Sequence, residues 1–355
     1  MPRIQAVGTA LPPYKVTRDE SKAFALSLYG EVYRGDLSRL LAIFDNTAIN
    51  TRHFCVPPEW FASPKSFEEK NNLYIEEGLK LSEKAIAEVL EKTGLDYDSI
   101  DCLMFVSSTG LSTPTMDARL IDRLPFRKNV QRLPIWGVGC AGGAMALSWA
   151  MRLAKAEPEQ KILAVVTELC GLTFIRNDLS KAAVISSALF ADGAAAVLIT
   201  GDKAKVPVQT HAPCLLAAAT ETMPNSLDIM GWHFSELGFN VKLSKDVPEV
   251  VRTFLRSVLV SFLNRRRLSL SDIKHFITHP GGAKVLEAYQ AIGIPPCKLH
   301  YAWDVLRKCG NMSAATVLFI LERFLEELKD EHAAFGVVTA LGPGFSAELV
   351  LLHWD

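Results

Sequence analysis

Asp98-Ser99-Ile100-Asp101-Cys102-Leu103-Met104-Phe105-Val106-Ser107 is the stretch that decides the fold, because the chain repeats its pattern later. A helical periodicity over residues 81–92 leads through Gly94-Leu95 into it, and residues 102–107 read as an apolar strand. A second helical periodicity, residues 251–263, leads through Leu268-Ser269 to Ser271-Asp272-Ile273-Lys274 and a strand, His275-Phe276-Ile277-Thr278. The correspondence continues outward in the same order. Gly139-Cys140-Ala141-Gly142-Gly143-Ala144 opens an alanine-rich apolar helix, and Gly310-Asn311-Met312-Ser313-Ala314-Ala315 opens another. Asp192-Gly193 then feeds a buried-looking strand over residues 192–199, as Gly342-Pro343-Gly344 feeds one that ends at Leu352. Internal repetition outranks local motifs as a guide to architecture. The chain reads as two similar α/β halves, residues 1–205 and 206–355, meeting near residues 201–207. The strands are near-continuous apolar runs, as expected of sheets covered by helices on both faces.

Composition sets the bounds. A length of 355 residues suits two core-sized units, and 49% hydrophobic with 22% charged residues is the balance of a compact soluble protein. The formal net charge of -1 gives no global field toward nucleic acid or anionic lipid, so neither is expected as a partner. Arg265-Arg266-Arg267 reads as the solvated end of a helix. Seven cysteines (55, 102, 140, 170, 214, 297, 309) are scattered without a C-x-x-C pair, which argues against a zinc or dithiol site. The start, Met1-Pro2-Arg3-Ile4-Gln5-Ala6-Val7-Gly8, has no apolar signal region, and no apolar run reaches the roughly 18 residues of a membrane span. The expected compartment is the cytoplasm.

The duplication also locates the chemistry. Cys140 and Asn311 fall at equivalent places, each at the start of a buried helix, so a two-fold arrangement of the halves brings both to one site. A buried free cysteine more often packs as a small hydrophobe. A glycine-rich strand-to-helix turn instead exposes the sulfur to the helix dipole, which favours the thiolate, and a nearby imidazolium would add to this. His279 follows a strand in Phe276-Ile277-Thr278-His279-Pro280-Gly281-Gly282, where open α/β sheets carry ligand chemistry, and the glycines permit close approach by a ligand. His275, before the turn, is the weaker candidate. Asn311 alone would also serve as a helix N-cap. Together the three supply a nucleophile, a base or donor, and an amide donor. Such a set serves a cysteine protease or a condensing enzyme. The position of Cys140 far from the N-terminus argues against the papain type. Two donors aimed at one oxyanion suit decarboxylation of a malonyl thioester to an enolate.

At these residues the sequence resembles the type III polyketide synthases of the chalcone synthase superfamily, most closely the bacterial alkylpyrone and alkylresorcinol synthases. The carrying segments include Phe44-Asp45-Asn46, Arg52, Val56-Pro57-Pro58-Glu59-Trp60 and Ser107-Ser108-Thr109-Gly110-Leu111-Ser112-Thr113-Pro114. Further on they are Trp136-Gly137-Val138-Gly139-Cys140, Glu168-Leu169-Cys170, Leu189-Phe190-Ala191-Asp192-Gly193, His279-Pro280-Gly281-Gly282, Gly310-Asn311-Met312-Ser313 and Ala340-Leu341-Gly342-Pro343-Gly344. The resemblance implies a five-layered αβαβα thiolase fold and a homodimer. It implies an acyltransferase that loads an acyl-CoA on Cys140 and extends it with malonyl-CoA, His279 and Asn311 holding the thioester carbonyl. Both thioesters are substrates, and no cofactor or metal is expected. Phe190 is then the gatekeeper between the CoA tunnel and the reaction cavity, with Gly281, Gly282 and Ser313 lining the site and Arg39 at the CoA phosphates.

Departures from the plant pattern shape the expected substrate. Val241 stands where plant enzymes carry a second gatekeeper phenylalanine, Cys170 replaces a cavity threonine, and Thr113 replaces a methionine at the dimer-facing wall. Asn46 replaces a CoA-binding lysine. Smaller side chains at Val241 and Thr113 imply a roomier apolar cavity, hence a long-chain starter and release as an alkylpyrone or alkylresorcinol. The competing readings are a β-ketoacyl-acyl carrier protein synthase of the initiating type and, in another class, a catalytically silent thiolase-fold binding subunit.

Overall fold

A computed structural model describes residues 1–30, 37–208, 212–328 and 331–355, with side chains throughout except at 37–40. The first half runs β1 (Arg3–Ala10), β2 (Tyr14–Thr17), α1 (Arg18–Tyr29), α2 (Leu37–Asp45), β3 (Thr51–Phe54), α3 (Phe67–Thr93), β4 (Cys102–Ser107), α4 (Met116–Arg123), β5 (Gln131–Trp136), α5 (Gly142–Ala156), β6 (Lys161–Leu169), α6 (Lys181–Leu189) and β7 (Asp192–Thr200). The second runs β8 (Cys214–Thr222), β9 (Met230–Ser235), β10 (Gly238–Leu243), α7 (Val247–Val250), α8 (Arg256–Asn264), β11 (Ile273–Thr278), α9 (Ala283–Ala291), α10 (His300–Cys309), α11 (Thr316–Glu327), β12 (Ala334–Gly342) and β13 (Ser346–Trp354).

Local chemistry sets the boundaries. Ser66 and Glu69 form a reciprocal capping box at the start of α3, and Gly94 ends it at φ +66, so the helix runs well upstream of its visible periodicity. β5 stops at Trp136, short of the apolar run that continues to Gly139, because Gly137 (φ +84) and Gly139 (φ +51) leave the extended region. The basic run after α8 caps that helix: Arg265 Nε and Arg266 Nη1 donate to the carbonyls of Ser261 and Phe262.

The duplication is written into the sheet. Its order is β11-β12-β13-β8-β1-β7-β6-β4-β5, so outward from the centre β8, β13, β12 and β11 answer β1, β7, β6 and β4. Strand directions agree as well: β4 on β6 and β11 on β12 are parallel, while β6 on β7 and β12 on β13 are antiparallel. Among the described strands of this sheet, only β5 has no counterpart. The halves join where Arg3 pairs with Cys214, flanked by Ile4 N–H to Pro213 O at 3.2 Å and Leu215 N–H to Pro2 O at 2.8 Å.

Alternation along each first-half strand separates two cores. Leu103, Phe105, Leu163 and Val165 face one that includes Ala85, Ile86 and Val89 of α3. Met104, Val106, Ala164 and Val166 face the other, with Leu147 of α5 and Leu318 of α11. α5 packs on β4 and β6 of its own half and on β12 and β13 of the other, while α11 packs on β1 and β7 as well as β11 and β12. These two helices form the middle layer between the sheet halves, with α3 outside the first and α8 and α9 outside the second. This is the αβαβα arrangement. Among the described residues no helix is long and apolar enough to cross a membrane, and no group of His, Cys, Asp and Glu is placed to hold a metal ion.

Candidate active site

The two helix starts meet. Cys140 sits in a short 3-10 turn, Gly139–Ala141, that feeds α5, and Asn311 precedes the matching turn, Ser313–Ala315, that feeds α11. The turns touch, and the Cys140 thiol donates to Ser313 Oγ at 3.6 Å. Contact this close requires the glycines beside Cys140. A Cβ on Gly142 would stand 2.7 Å from Val106 Cγ1, and one on Gly143 would stand 2.4 Å from Ala314 O. The small residues that the sequence suggests as room for substrate therefore serve first to let α5 and α11 approach.

His279 follows β11, and its backbone N–H donates to Thr339 O of β12 at 2.8 Å. Its side chain is 4% exposed, yet neither ring nitrogen has a hydrogen-bond partner. A buried, unpartnered imidazole is costly unless a ligand completes it. Asn311 is fixed through both ends of its amide: Nδ2 donates to Gly281 O at 3.0 Å, and Oδ1 accepts from Ser313 N–H at 2.9 Å. Ser313 adopts φ +48 to make that turn. His275 has a structural role instead, with Nε2 3.0 Å from Glu331 and its ring against Phe324 and Trp354.

Burial governs the electrostatics. Taken one at a time, it pushes the Cys140 thiol up to about 12, against a smaller lowering by the Ser313 hydroxyl, and the His279 imidazole down to about 3. Burial thus opposes the thiolate that the helix start favours; a thiolate needs a proton acceptor, and the unpartnered imidazole in the same cavity is one. Glu168 is a second buried acid near the sulfur. Its Oε2 accepts from Ser108 N–H (3.0 Å), Thr109 Oγ1 (2.8 Å) and Ser107 Oγ (3.4 Å), and burial still raises its carboxyl to about 7.

Cys140, His279 and Asn311 open into one cavity of about 640 Å³, bordered also by Phe190, Gly281, Gly282, Leu341 and Asn46. Phe190 also borders a smaller cavity of about 100 Å³, which contains Cys170 and Val241. The smaller cavity is apolar but not roomy. Phe54, Phe61, Phe174, Trp232 and Phe239 fill the space that Cys170 and Val241 leave, and the Trp232 indole is pinned by donating to Ser108 O at 2.8 Å. Its volume is below that of the apolar cavity of about 150 Å³ known to hold a benzene. Thr113 is exposed and borders neither cavity of the single chain. The side chain of Arg39 lies outside the described residues. Sequence reasoning missed Lys181, Lys245 and Lys284, three exposed lysines from separate segments that border the larger cavity. No motif marks them, because only the folded chain brings them together.

Comparison with known proteins finds relatives that match the chain from end to end. The profile of the N-terminal domain of chalcone and stilbene synthases matches residues 3–203, and that of the C-terminal domain matches residues 214–354. A protein of Bacillus subtilis (strain 168) named for chalcone synthase is 42% identical over 99% of this chain and 98% of its own length. The 1,3,6,8-tetrahydroxynaphthalene synthase of Streptomyces peucetius is 36% identical over 99% of this chain and 93% of its own. Among solved structures, the 1,3,6,8-tetrahydroxynaphthalene synthase of Streptomyces coelicolor, a bacterial type III polyketide synthase, superposes with a TM-score of 0.93 at 27% identity, over 99% of both chains.

Proposed function

This chain belongs to the chalcone and stilbene synthase family of type III polyketide synthases, and from that premise we propose that it extends a fatty acyl-CoA with malonyl-CoA and releases an alkylpyrone or alkylresorcinol. The observation that carries the reading is the unpartnered His279 imidazole in one cavity with the Cys140 thiol and the Asn311 amide. In loading, His279 takes the Cys140 proton as sulfur attacks the thioester carbonyl, and the departing CoA thiolate takes that proton back. Malonyl-CoA then binds. The neutral imidazole donates one N–H and Asn311 Nδ2 donates another to its thioester oxygen, so the charge that grows there as carbon dioxide leaves is held by fixed donors. The enolate carbon attacks the acyl carbonyl and the Cys140 thiolate leaves, one carbon–carbon bond formed for each carboxylate lost. Lys181, Lys245 and Lys284 offer the CoA phosphates the cations that Asn46 does not.

Phe190 borders both cavities, which suits the gatekeeper role, and the apolar cavity behind it takes the start of the acyl tail. The second copy expected of a homodimer docks on the β5 face. There the sheet edge is open, and Leu111, Trp136 and Phe234 are 41%, 46% and 53% exposed. In such a dimer the exposed Thr113 faces the partner.

Purified protein supplied with malonyl-CoA and a panel of acyl-CoAs, with products read by mass spectrometry, tests the reading. Alkylpyrones or alkylresorcinols that incorporate the starter are expected, and none from Cys140→Ala. A product built from malonyl-CoA alone would overturn the fatty starter, and a single condensation on a carrier protein would favour the β-ketoacyl synthase alternative.

A further inference from the structure

Arg52 is a buried cation, 6% exposed, on the β2–β3 ribbon rather than in the large sheet. Its Nη1 donates to the carbonyls of Ser187 at 2.5 Å and Phe190 at 2.9 Å, and its Nη2 donates to Ser21 Oγ of α1 at 3.0 Å. The last turn of α6 holds no basic residue of its own, so Arg52 supplies the donors that the end of that helix lacks. The guanidinium lies 5.1 Å from the Phe54 ring centre. Its stem leaves no space for a side chain at residue 310: a Cβ on Gly310 would stand 2.8 Å from Arg52 Cγ.

The segment that Arg52 grips from one side is gripped from the other by Asn311. Asn311 N–H donates to Leu189 O at 3.0 Å, and Ala191 N–H donates to Asn311 O at 2.9 Å, which makes a one-residue parallel bridge across Phe190. The backbone of Phe190 is thus clamped between a guanidinium and the backbone of the residue whose amide faces the catalytic cavity. Any shift of residues 189–191 moves the wall between the two cavities and Asn311 together.

We propose that Arg52 is the positioning residue for both Phe190 and Asn311, and that it acts through these hydrogen bonds to protein rather than on the substrate. It thereby sets how starters are sorted by length and how fast malonyl-CoA loses its carboxylate. The proposal rests on the roles given above to Phe190 and Asn311. Asp192, the neighbouring carboxylate, accepts from the N–H groups of Cys55 and Gly171, and as an acceptor it cannot replace Arg52 at the two carbonyls.

Arg52→Lys and Arg52→Met in the full chain test this. Lysine keeps the charge but not the fork, and methionine keeps only the stem. Malonyl-CoA decarboxylation should fall in the order wild type, Arg52→Lys, Arg52→Met, by on the order of 10–100-fold for the last, as expected when a catalytic group is displaced by about an ångström. Iodoacetamide should still alkylate Cys140. The preference among acyl-CoAs of increasing length should relax, and in a Phe190→Ala background Arg52→Lys should change it no further. Equal effects in both backgrounds, or a wild-type decarboxylation rate in Arg52→Lys, would overturn the proposal. If Arg52→Met does not fold, Arg52→Lys decides alone. Asn311→Ala run alongside separates the layers: if it decarboxylates normally, the role given to Asn311 fails, whereas its loss beside an unaffected Arg52→Lys rejects only the positioning role.

Discussion

Cys140 shows how far a residue's neighbours outweigh its address. The glycine-flanked turn is legible in the sequence, and so is its pairing with Asn311, since the two fall at matching places in a repeat. What burial does to the sulfur is not legible, because the segments packed on its turn are β12, the Ser313–Ala315 turn and Ser108, all distant in sequence. With the thiol pushed up to about 12 by burial, the imidazole must supply the acceptor. In His279→Ala that acceptor is missing, so alkylation of Cys140 by iodoacetamide should be slow at neutral pH. It should then climb about tenfold per pH unit through pH 10, the behaviour of a thiol titrating above that range. Wild-type protein should level off at lower pH. Coincident rate–pH profiles would show that His279 does not take the proton. Arg52 is the opposite case: the sequence displays the residue but nothing of the two carbonyls it holds, Ser187 and Phe190, which lie more than a hundred positions away.

At the level of elements, the apolar strand at residues 102–107 is β4 to the residue, because a fully buried strand is one apolar run bounded by turn formers. The β9–β10 hairpin escapes the same reasoning. It is half exposed, and its Trp232, Phe239 and Val241 take meaning only from the cavity they close over. The size of that cavity sets what a mutation there should do. With only about 100 Å³ beside it, Val241→Phe should shorten the preferred starter. kcat/KM for longer acyl-CoAs should fall by roughly 0.8 kcal/mol for each methylene excluded, with short starters unaffected. Steady-state kinetics across chain lengths read this directly, and an equal loss at every length would reassign Val241 to core packing. Thr113→Phe, on an exposed loop, should act on chain length only where a second copy seats against it.

For the whole molecule, duplication and interlocking pull apart two senses of the word domain. Two repeats are visible in the sequence, but α5 and α11 each pack on strands of both halves, so neither half encloses a core alone. Residues 1–205 or 206–355 expressed separately should not give a cooperative melt, whereas co-expression should restore one melt and malonyl-CoA decarboxylation. Cooperative unfolding of either fragment alone would show two independent units. Burial of acids also makes the fold pH-sensitive. Glu348, fully buried at the β8–β13 pair, is raised to about 7 by burial, with Thr220 as its donor. A carboxyl raised on folding contributes stability below its unfolded pKa and loses it as pH rises through the folded value. His279, lowered to about 3, has the reverse sign: its contribution is complete above about pH 6.5 and declines only as pH falls from there. Between about pH 6.5 and 7.5, above the histidine range and below that of the buried thiols, the last part of the carboxyl effect is therefore the one in play, and the melting temperature should drop. Glu348→Gln should reduce that drop, and an unchanged drop in the variant would remove Glu348 from the account.

The strand without a counterpart has a consequence of its own. β5 leaves one rim of the sheet open, whereas at the other rim Lys298, from the turn beside β11, donates to Ile273 O and occupies that edge. A building block with one reactive end behaves as a chain terminator in polymer chemistry: it can couple once with its like and then has nothing left to offer. The doubling that built this molecule stopped one strand short of perfect symmetry, and in the proposed dimer that shortfall lets it pair without growing into a fibre.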